Sequence, residues 1–158
     1  MSEEILRFTT EYLDECADLA VEVFNGEPGN QHWTRETARR RLLEMLNTSG
    51  FVGFVWRKKE TLGFVIGNCE QWENSLRYEL KTICVRPDTQ SQGIGTKLLH
   101  QLMNTLATMD VNSIYLLTAK DGQAEAFYTK NGFQRSPRVI LMSYQLVSQA
   151  VNHQKNEE

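Results

Sequence analysis

The spacing of apolar residues along the chain predicts four helices. Three segments repeat apolar side chains at every third or fourth position, the period of one helix face: residues 12–24, 34–46 and 94–109. Thr34 is the expected N-cap of the second helix, with Thr37 in its first turn. A shorter segment, 122–130, reads as a helix that ends at Asn131-Gly132.

Runs rich in β-branched and aromatic residues predict strands between these helices. They fall at residues 4–9, 51–57, 62–69, 77–85 and 113–118, and a last run, 133–147, reads as one or two strands broken near Pro137. Lys58-Lys59-Glu60 is the expected hairpin turn. The apolar run at 113–118 is typical of a strand buried on both faces. We therefore expect one mixed α/β domain over residues 1–148, followed by a polar tail at 149–158.

Charge and composition exclude several classes of function. The formal net charge is −3, which gives the chain no general attraction to nucleic acid or to an anionic membrane. The most basic stretch, Arg39-Arg40-Arg41, lies in an amphipathic helix pattern, where we expect a solvated face with one arginine stem packed down.

The three cysteines are scattered and have no histidine at metal-ligand spacing, so neither a disulfide framework nor a metal site is expected. The first ten residues are polar and acidic, unlike a signal peptide, and no apolar run is long enough to cross a bilayer. A cytoplasmic location is the expectation from these features.

Residues 80–99 carry the strongest signal for chemistry. The segment reads as a strand, a turn with Gly93 and Gly95, and a helix that opens at Ile94 or Gly95. Backbone N–H groups at such a helix start, together with its dipole, form a phosphate site to which Thr96 could add a hydroxyl. Simple turn geometry explains the same glycines, and the spacing matches neither a Walker A loop nor a Rossmann fingerprint.

Two motifs then give a resemblance to a family. Gln90-Ser91-Gln92-Gly93-Ile94-Gly95 resembles the Q/R-x-x-G-x-G/A signature of the GNAT acetyltransferases, and Ala124 to Phe133 resembles their A-x-x-x-Y-x-x-x-G-F element. The resemblance covers roughly residues 3–146. It implies a GNAT fold: a mixed, mostly antiparallel, twisted sheet with about four flanking helices, splayed between its fourth and fifth strands.

The resemblance also implies a site for acetyl-CoA. The pantetheine arm would lie along the end of the fourth strand, and the glycine turn would hold the pyrophosphate. The implied contact residues are Ile83, Cys84, Val85, Gln90, Gln92, Gly93, Ile94, Gly95, Thr96, Asp121, Ala124 and Phe127. Asp121 departs from the asparagine often found at that position of the family, which leaves its cofactor contact in doubt.

Acetyl transfer to an amine requires a neutral amine, a stabilised oxyanion and a proton for the departing thiolate. By resemblance, Tyr128 is the acid, although a core aromatic would explain it too. By the same resemblance Glu79 is the candidate base; the alternatives are a surface carboxylate paired with Lys81 or Arg77, and ordered water as the base. The Val85 N–H is the expected oxyanion donor, at a strand bulge. Period-2 alternation places Glu79 on one sheet face with Lys81, Ile83 and Val85.

The function that follows is N-acetyl transfer from acetyl-CoA to a primary amine, either a small cationic amine or a peptide amine. A non-catalytic acyl-CoA sensor on the same fold is the alternative. Four carboxylates in or near the segments least like the family favour a cationic acceptor, while ordinary polar loops explain them equally well: Glu27, Glu70, Glu73 and Glu79. The C-terminal strands could extend a sheet to a second copy, which would make a homodimer.

Overall fold

The computed structural model describes residues 3–147, apart from the side chains of Gln90 and Ser91. The chain divides into two compact units, Met1–Thr118 and Ala119–Glu158. The predicted tail at 149–158 lies outside the described residues, and the single domain over 1–148 stays a prediction.

The first unit is built on a five-stranded sheet. Its strands are β1 (Glu4–Arg7), β2 (Phe51–Lys58), β3 (Glu60–Gln71), β4 (Leu76–Val85) and β5 (Val111–Tyr115). They lie in the order β1-β2-β3-β4-β5; the first three pairings are antiparallel, and β4 pairs with β5 in parallel. The predicted mixed, mostly antiparallel sheet is confirmed.

Residues 3–147 contain four helices, as predicted. They are α1 (Leu13–Asn25), α2 (Arg35–Leu46), α3 (Ile94–Thr108) and, in the second unit, α4 (Gln123–Lys130). Thr34 caps α2 reciprocally with Thr37, because each side chain accepts from the other residue's backbone N–H at 3.0 Å. Within residues 3–147, no helix combines the length and the apolar character needed to cross a membrane.

The two faces of the sheet pack against different helices. Phe64 and Ile66 of β3 belong to the core formed with α1 and α2. The alternate residues Gly63 and Val65 point to the opposite face, where a Cβ built on Gly63 would lie 3.2 Å from the Leu98 side chain of α3. Because paired residues of adjacent strands lie on the same face, a β4 side chain points toward the same helices as the β3 residue with which it pairs.

A bulge in β4 changes this alternation. Leu80 pairs with Gly67 and Thr82 with Ile66, so Lys81 is an extra residue without a counterpart on β3. Glu79 therefore shares the α1/α2 face with Thr82, whereas Leu80 points to the α3 face. The predicted grouping of Glu79 with Ile83 and Val85 on one face is wrong, because one inserted residue shifts every side chain beyond it.

Two strand predictions also need correction. β5 begins at Val111 and ends at Tyr115, and none of its residues is buried, because it is the last strand of its sheet. Residues 133–147 contain no strand in the described structure. Their own unit offers one helix and no described strand to pair with, and a lone strand is not stable in water. The homodimer that such strands would build stays a prediction.

Candidate active site

An opening in the sheet lies between β4 and β5. The last residues paired across these strands are Glu79 and Tyr115. β4 continues to Val85 and is paired there with β3 alone among the strands of its sheet. The predicted splay between the fourth and fifth strands is confirmed, and it leaves one edge of β4 beside the opening.

The backbone of β4 turns alternate peptide groups toward this opening. The Arg86 N–H donates to the Leu62 oxygen of β3 at 2.8 Å. Because successive residues of a strand direct their N–H groups to opposite sides, those of Ile83 and Val85 point away from β3. An extended ligand could add here in the manner of a strand. The oxyanion role of Val85 stays a prediction, since the bulge lies at Lys81 rather than at Val85.

Cys84 lies between these two residues and points the other way. Its side chain is buried under α1, with Sγ 4.0 Å from the Leu19 carbonyl oxygen. Burial raises the pKa of the thiol well above its ordinary value. Cys84 is thus a packing residue at its side chain, and reactivity of this thiol is disfavoured.

The glycine turn connects the end of β4 to α3. A 3-10 turn, Pro87–Gln92, is followed by Gly93 at φ +74° and then by the start of α3 at Ile94. Arg86 anchors the entrance through ion pairs with Glu60 and, at 3.3 Å, with Asp88. The left-handed backbone at Gly93 is the conformation that glycine adopts without strain.

The space at the start of α3 suits a phosphate group. No described side chain caps this helix, and its first N–H groups, including those of Gly95 and Thr96, lack the intrahelical partners that an interior turn would provide. A Cβ built on Gly93 would have no heavy atom within 4 Å. Gln92 is exposed beside this space, while the side chain of Gln90 lies outside the described residues. The arrangement fits the diphosphate of CoA.

Glu79 stands at the point where β4 and β5 separate. Its Oε1 lies 2.8 Å from the Lys81 Nζ, and its side chain is 15% exposed. Tyr115 lies opposite Glu79 across the two strands, and burial together with the nearby Glu79 and Glu70 carboxylates raises the pKa of Tyr115. The sequence analysis missed Tyr115; the parallel register that places it opposite Glu79 was the signal that could have found it.

Tyr128 lies in the second unit, on α4. Its ring is buried and packs against Phe127 and Phe133, with ring centroids 5.3 Å and 5.4 Å away. Burial raises the pKa of Tyr128 to about 12, so its hydroxyl keeps the proton throughout the neutral range. Phe127 is half-buried and Ala124 is exposed on the same helix.

Asp121 precedes α4 at φ +60° and is engaged by an arginine. The Arg135 guanidinium lies 2.9 Å from the Asp121 Oδ1 and also binds Glu125, which accepts the Asp121 N–H at 2.7 Å. The Arg135 hydrogen bond lowers the pKa of Glu125 to about 2. Arg135, unnoticed in the sequence, therefore balances the charge that aspartate brings to this position.

A cavity of about 190 Å³ lies on the α1/α2 side of the first unit. Nine residues line it: Ala20, Phe24, Gln31, Trp33, Ala38, Arg41, Leu42, Met45 and Thr82. None of the four carboxylates expected to attract a cationic acceptor is among them. Thr82 belongs to β4, three residues beyond Glu79 and on the same face of the sheet.

Comparison with known proteins agrees with this geometry. A curated relative, "Uncharacterized N-acetyltransferase ycf52" of Pyropia yezoensis, is 23% identical over 108 residues, which are 66% of this chain and 59% of that protein. The chain thus matches less than two thirds of that relative's length.

Solved structures share the fold. A possible acetyltransferase from Clostridium difficile 630 superposes with a TM-score of 0.79 at 14% identity, over 94% of this chain and all of that one. Aminoglycoside N-acetyltransferase AAC(6')-Iy in complex with CoA gives 0.72 at 15% identity, over 92% of this chain and 96% of that one. The family model described as "Acetyltransferase (GNAT) domain" matches residues 49–135, more than half of the chain. The chain belongs to the GNAT acetyltransferase family.

Proposed function

We propose that this protein transfers an acetyl group from acetyl-CoA to a primary amine. The observation that carries the proposal is the continuity of two features. One is the edge of β4 that turns Ile83 and Val85 toward the opening, and the other is the start of α3, which follows nine residues later and is capped by no described side chain. Together they suit one long ligand with an amide-bearing arm and a diphosphate. The neighbour solved with CoA supports the same ligand.

Bound acetyl-CoA would supply an activated thioester. The backbone of Ile83 and Val85 would hold its pantetheine arm, and the N–H groups from Gly93 to Thr96 its diphosphate. Direct attack of the amine on the bound thioester needs no covalent enzyme intermediate, which agrees with the burial of Cys84.

Two side chains are proposed for proton transfer. Glu79, at the separation of β4 and β5, accepts a proton from the amine either directly or through ordered water. Tyr128 donates a proton to the departing thiolate; its motif position supports this role, and its pKa of about 12 keeps the hydroxyl protonated until it is needed.

Acetyl-CoA binding and turnover test the proposal together. We expect acetyl-CoA to raise the melting temperature, by mass action on the folded state, and an amine panel to include acceptors that release free thiol. A thermal shift without thiol release from any amine would instead support the acyl-CoA sensor. The absence of a thermal shift would overturn acetyl-CoA binding itself.

The Glu79→Gln variant tests the base. We expect about a tenfold loss of kcat/KM at pH values below the pKa of the amine, and a smaller loss at higher pH where the amine is already neutral. Thiol release measured across pH checks this. Glu73→Gln is the matched control, because Glu73 is an exposed carboxylate in the loop before β4. An equal loss of kcat/KM at every pH would contradict Glu79 as the base and would mean that water or the substrate itself accepts the proton of the amine.

A further inference from the structure

The cavity on the α1/α2 side is large enough for a chemical group of about the size of one benzene ring. Its volume of about 190 Å³ is somewhat above the roughly 150 Å³ of an engineered apolar cavity that holds benzene. Most of its wall is apolar, with Ala20 and Phe24 on α1 and Ala38, Leu42 and Met45 on α2. Burial of an aliphatic or aromatic group in this cavity therefore contributes favourably to the free energy of binding.

Arg41 is the one charged residue among the nine that line the cavity. It follows Ala38 by three positions and precedes Met45 by four, which places it on the cavity face of α2. The three other arginines of α2 each have a carboxylate partner: Arg35 with Asp18 at 3.0 Å, Arg39 with Asp14 at 2.8 Å and Arg40 with Glu36 at 3.7 Å. Arg41 takes part in none of the ion pairs found among residues 3–118.

The loop before α2 presents further donors at the cavity. Asn25 fixes Trp33 through two hydrogen bonds of 2.8 Å to its backbone. The Trp33 indole N–H donates to the Gln31 Oε1 at 2.5 Å. Because its oxygen is taken, Gln31 has its amide N–H groups left to offer a ligand. The Arg41 guanidinium and the Gln31 amide thus favour an anion in the cavity.

The cavity meets the proposed transfer site at β4. Thr82 forms part of its wall and lies on the face that Glu79 shares, next to Ile83 at the opening. A molecule anchored by Arg41 could therefore direct an amino group toward β4. None of the four carboxylates expected to attract a polycation lines the cavity wall.

We propose that the acceptor is a small amine that also carries a carboxylate, of the amino-acid type, with an aliphatic or aromatic side chain. Arg41 binds the carboxylate, and the apolar wall holds the side chain. A planar guanidinium recognises a carboxylate with two parallel hydrogen bonds. This inference rests on the proposed acetyl transfer and narrows the class of acceptor.

Matched acceptors test this specificity. Phenylalanine is compared with phenylalaninamide and with phenethylamine, and leucine with 3-methylbutylamine, by thiol release from acetyl-CoA. We expect kcat/KM to favour the carboxylate by about tenfold or more in the unaltered protein. Arg41→Gln should bring that ratio close to one, because it lowers kcat/KM for phenylalanine far more than kcat/KM for phenethylamine.

Arg40→Gln is the control for a lost charge on α2, because Arg40 is exposed and pairs only within its own helix. It should keep the preference of the unaltered protein. Equal kcat/KM for acceptors with and without a carboxylate would overturn this inference, while the proposed acetyl transfer would still hold. Absence of thiol release with every amine, despite a thermal shift by acetyl-CoA, would overturn both.

Discussion

Replacing Tyr128 with phenylalanine is expected to lower kcat by about 100-fold or more, with acetyl-CoA affinity changed by less than about twofold. A positioned general acid contributes roughly 10² to 10⁴ in rate, and the hydroxyl is the part of the side chain that the substitution removes. Turnover at saturating acetyl-CoA and acceptor measures the first quantity, and cofactor titration measures the second.

The substitution is a clean test because the ring stays. Tyr128 packs edge-on against Phe127 and at a tilt against Phe133, contacts that phenylalanine can keep. Burial raises the pKa of Tyr128 from 10.0 to about 12, so the protonated acid persists in the folded protein as pH rises through 10. An alkaline loss of kcat caused by Tyr128 should therefore begin above pH 10 rather than below it.

Tyr144→Phe is the matched control in the same unit, since Tyr144 is 89% exposed. It should leave kcat unchanged. If Tyr128→Phe also left kcat unchanged, Tyr128 would be a packing residue of α4, and the proton for the thiolate would have to come from water or from another group.

Local signals in the sequence were sufficient for most elements of the fold. Helix periodicity gave α1 to α4, and Thr34 with Thr37 marked the start of α2, because caps and amphipathic faces depend on residues close in sequence. The turn that holds Gly93 at φ +74° is likewise local. The turn therefore has the backbone conformation that its glycine predicts, and the phosphate site at this turn stays a prediction.

Features that depend on partners distant in sequence were not predictable. The bulge at Lys81 arises from the pairing of β4 with β3, and it moved Glu79 to the opposite face from the one that alternation gave. Arg135 meets Asp121 fourteen residues away, and Arg41 meets the cavity only after α1, α2 and β4 have packed. The periodicity of a single sequence gives no information on contacts between residues that lie far apart along the chain.

The bulge has a steric requirement that gives the second large effect. Gly67→Ala is expected to destabilise the protein by about 3 kcal/mol or more, at the upper end of overpacking costs. A Cβ at this position would lie 2.1 Å from the backbone oxygen of Glu79 and 2.7 Å from the Tyr78 ring. The Tyr78 hydroxyl donates to the Val52 oxygen at 2.7 Å in the buried core, and moving the ring would break that bond.

Urea unfolding of the whole chain measures this effect against two other glycines. Gly122→Ala should change the unfolding free energy by less than about 0.5 kcal/mol, because its Cβ would meet only the Ala119 oxygen at 3.8 Å. Gly93→Ala has open space but a positive φ, and should cost about 1 kcal/mol. If Gly67→Ala unfolded at the same urea concentration as Gly122→Ala, β3 and β4 could not approach so closely at the bulge. The placement of Glu79 on the cavity side of the sheet would then lose its structural basis.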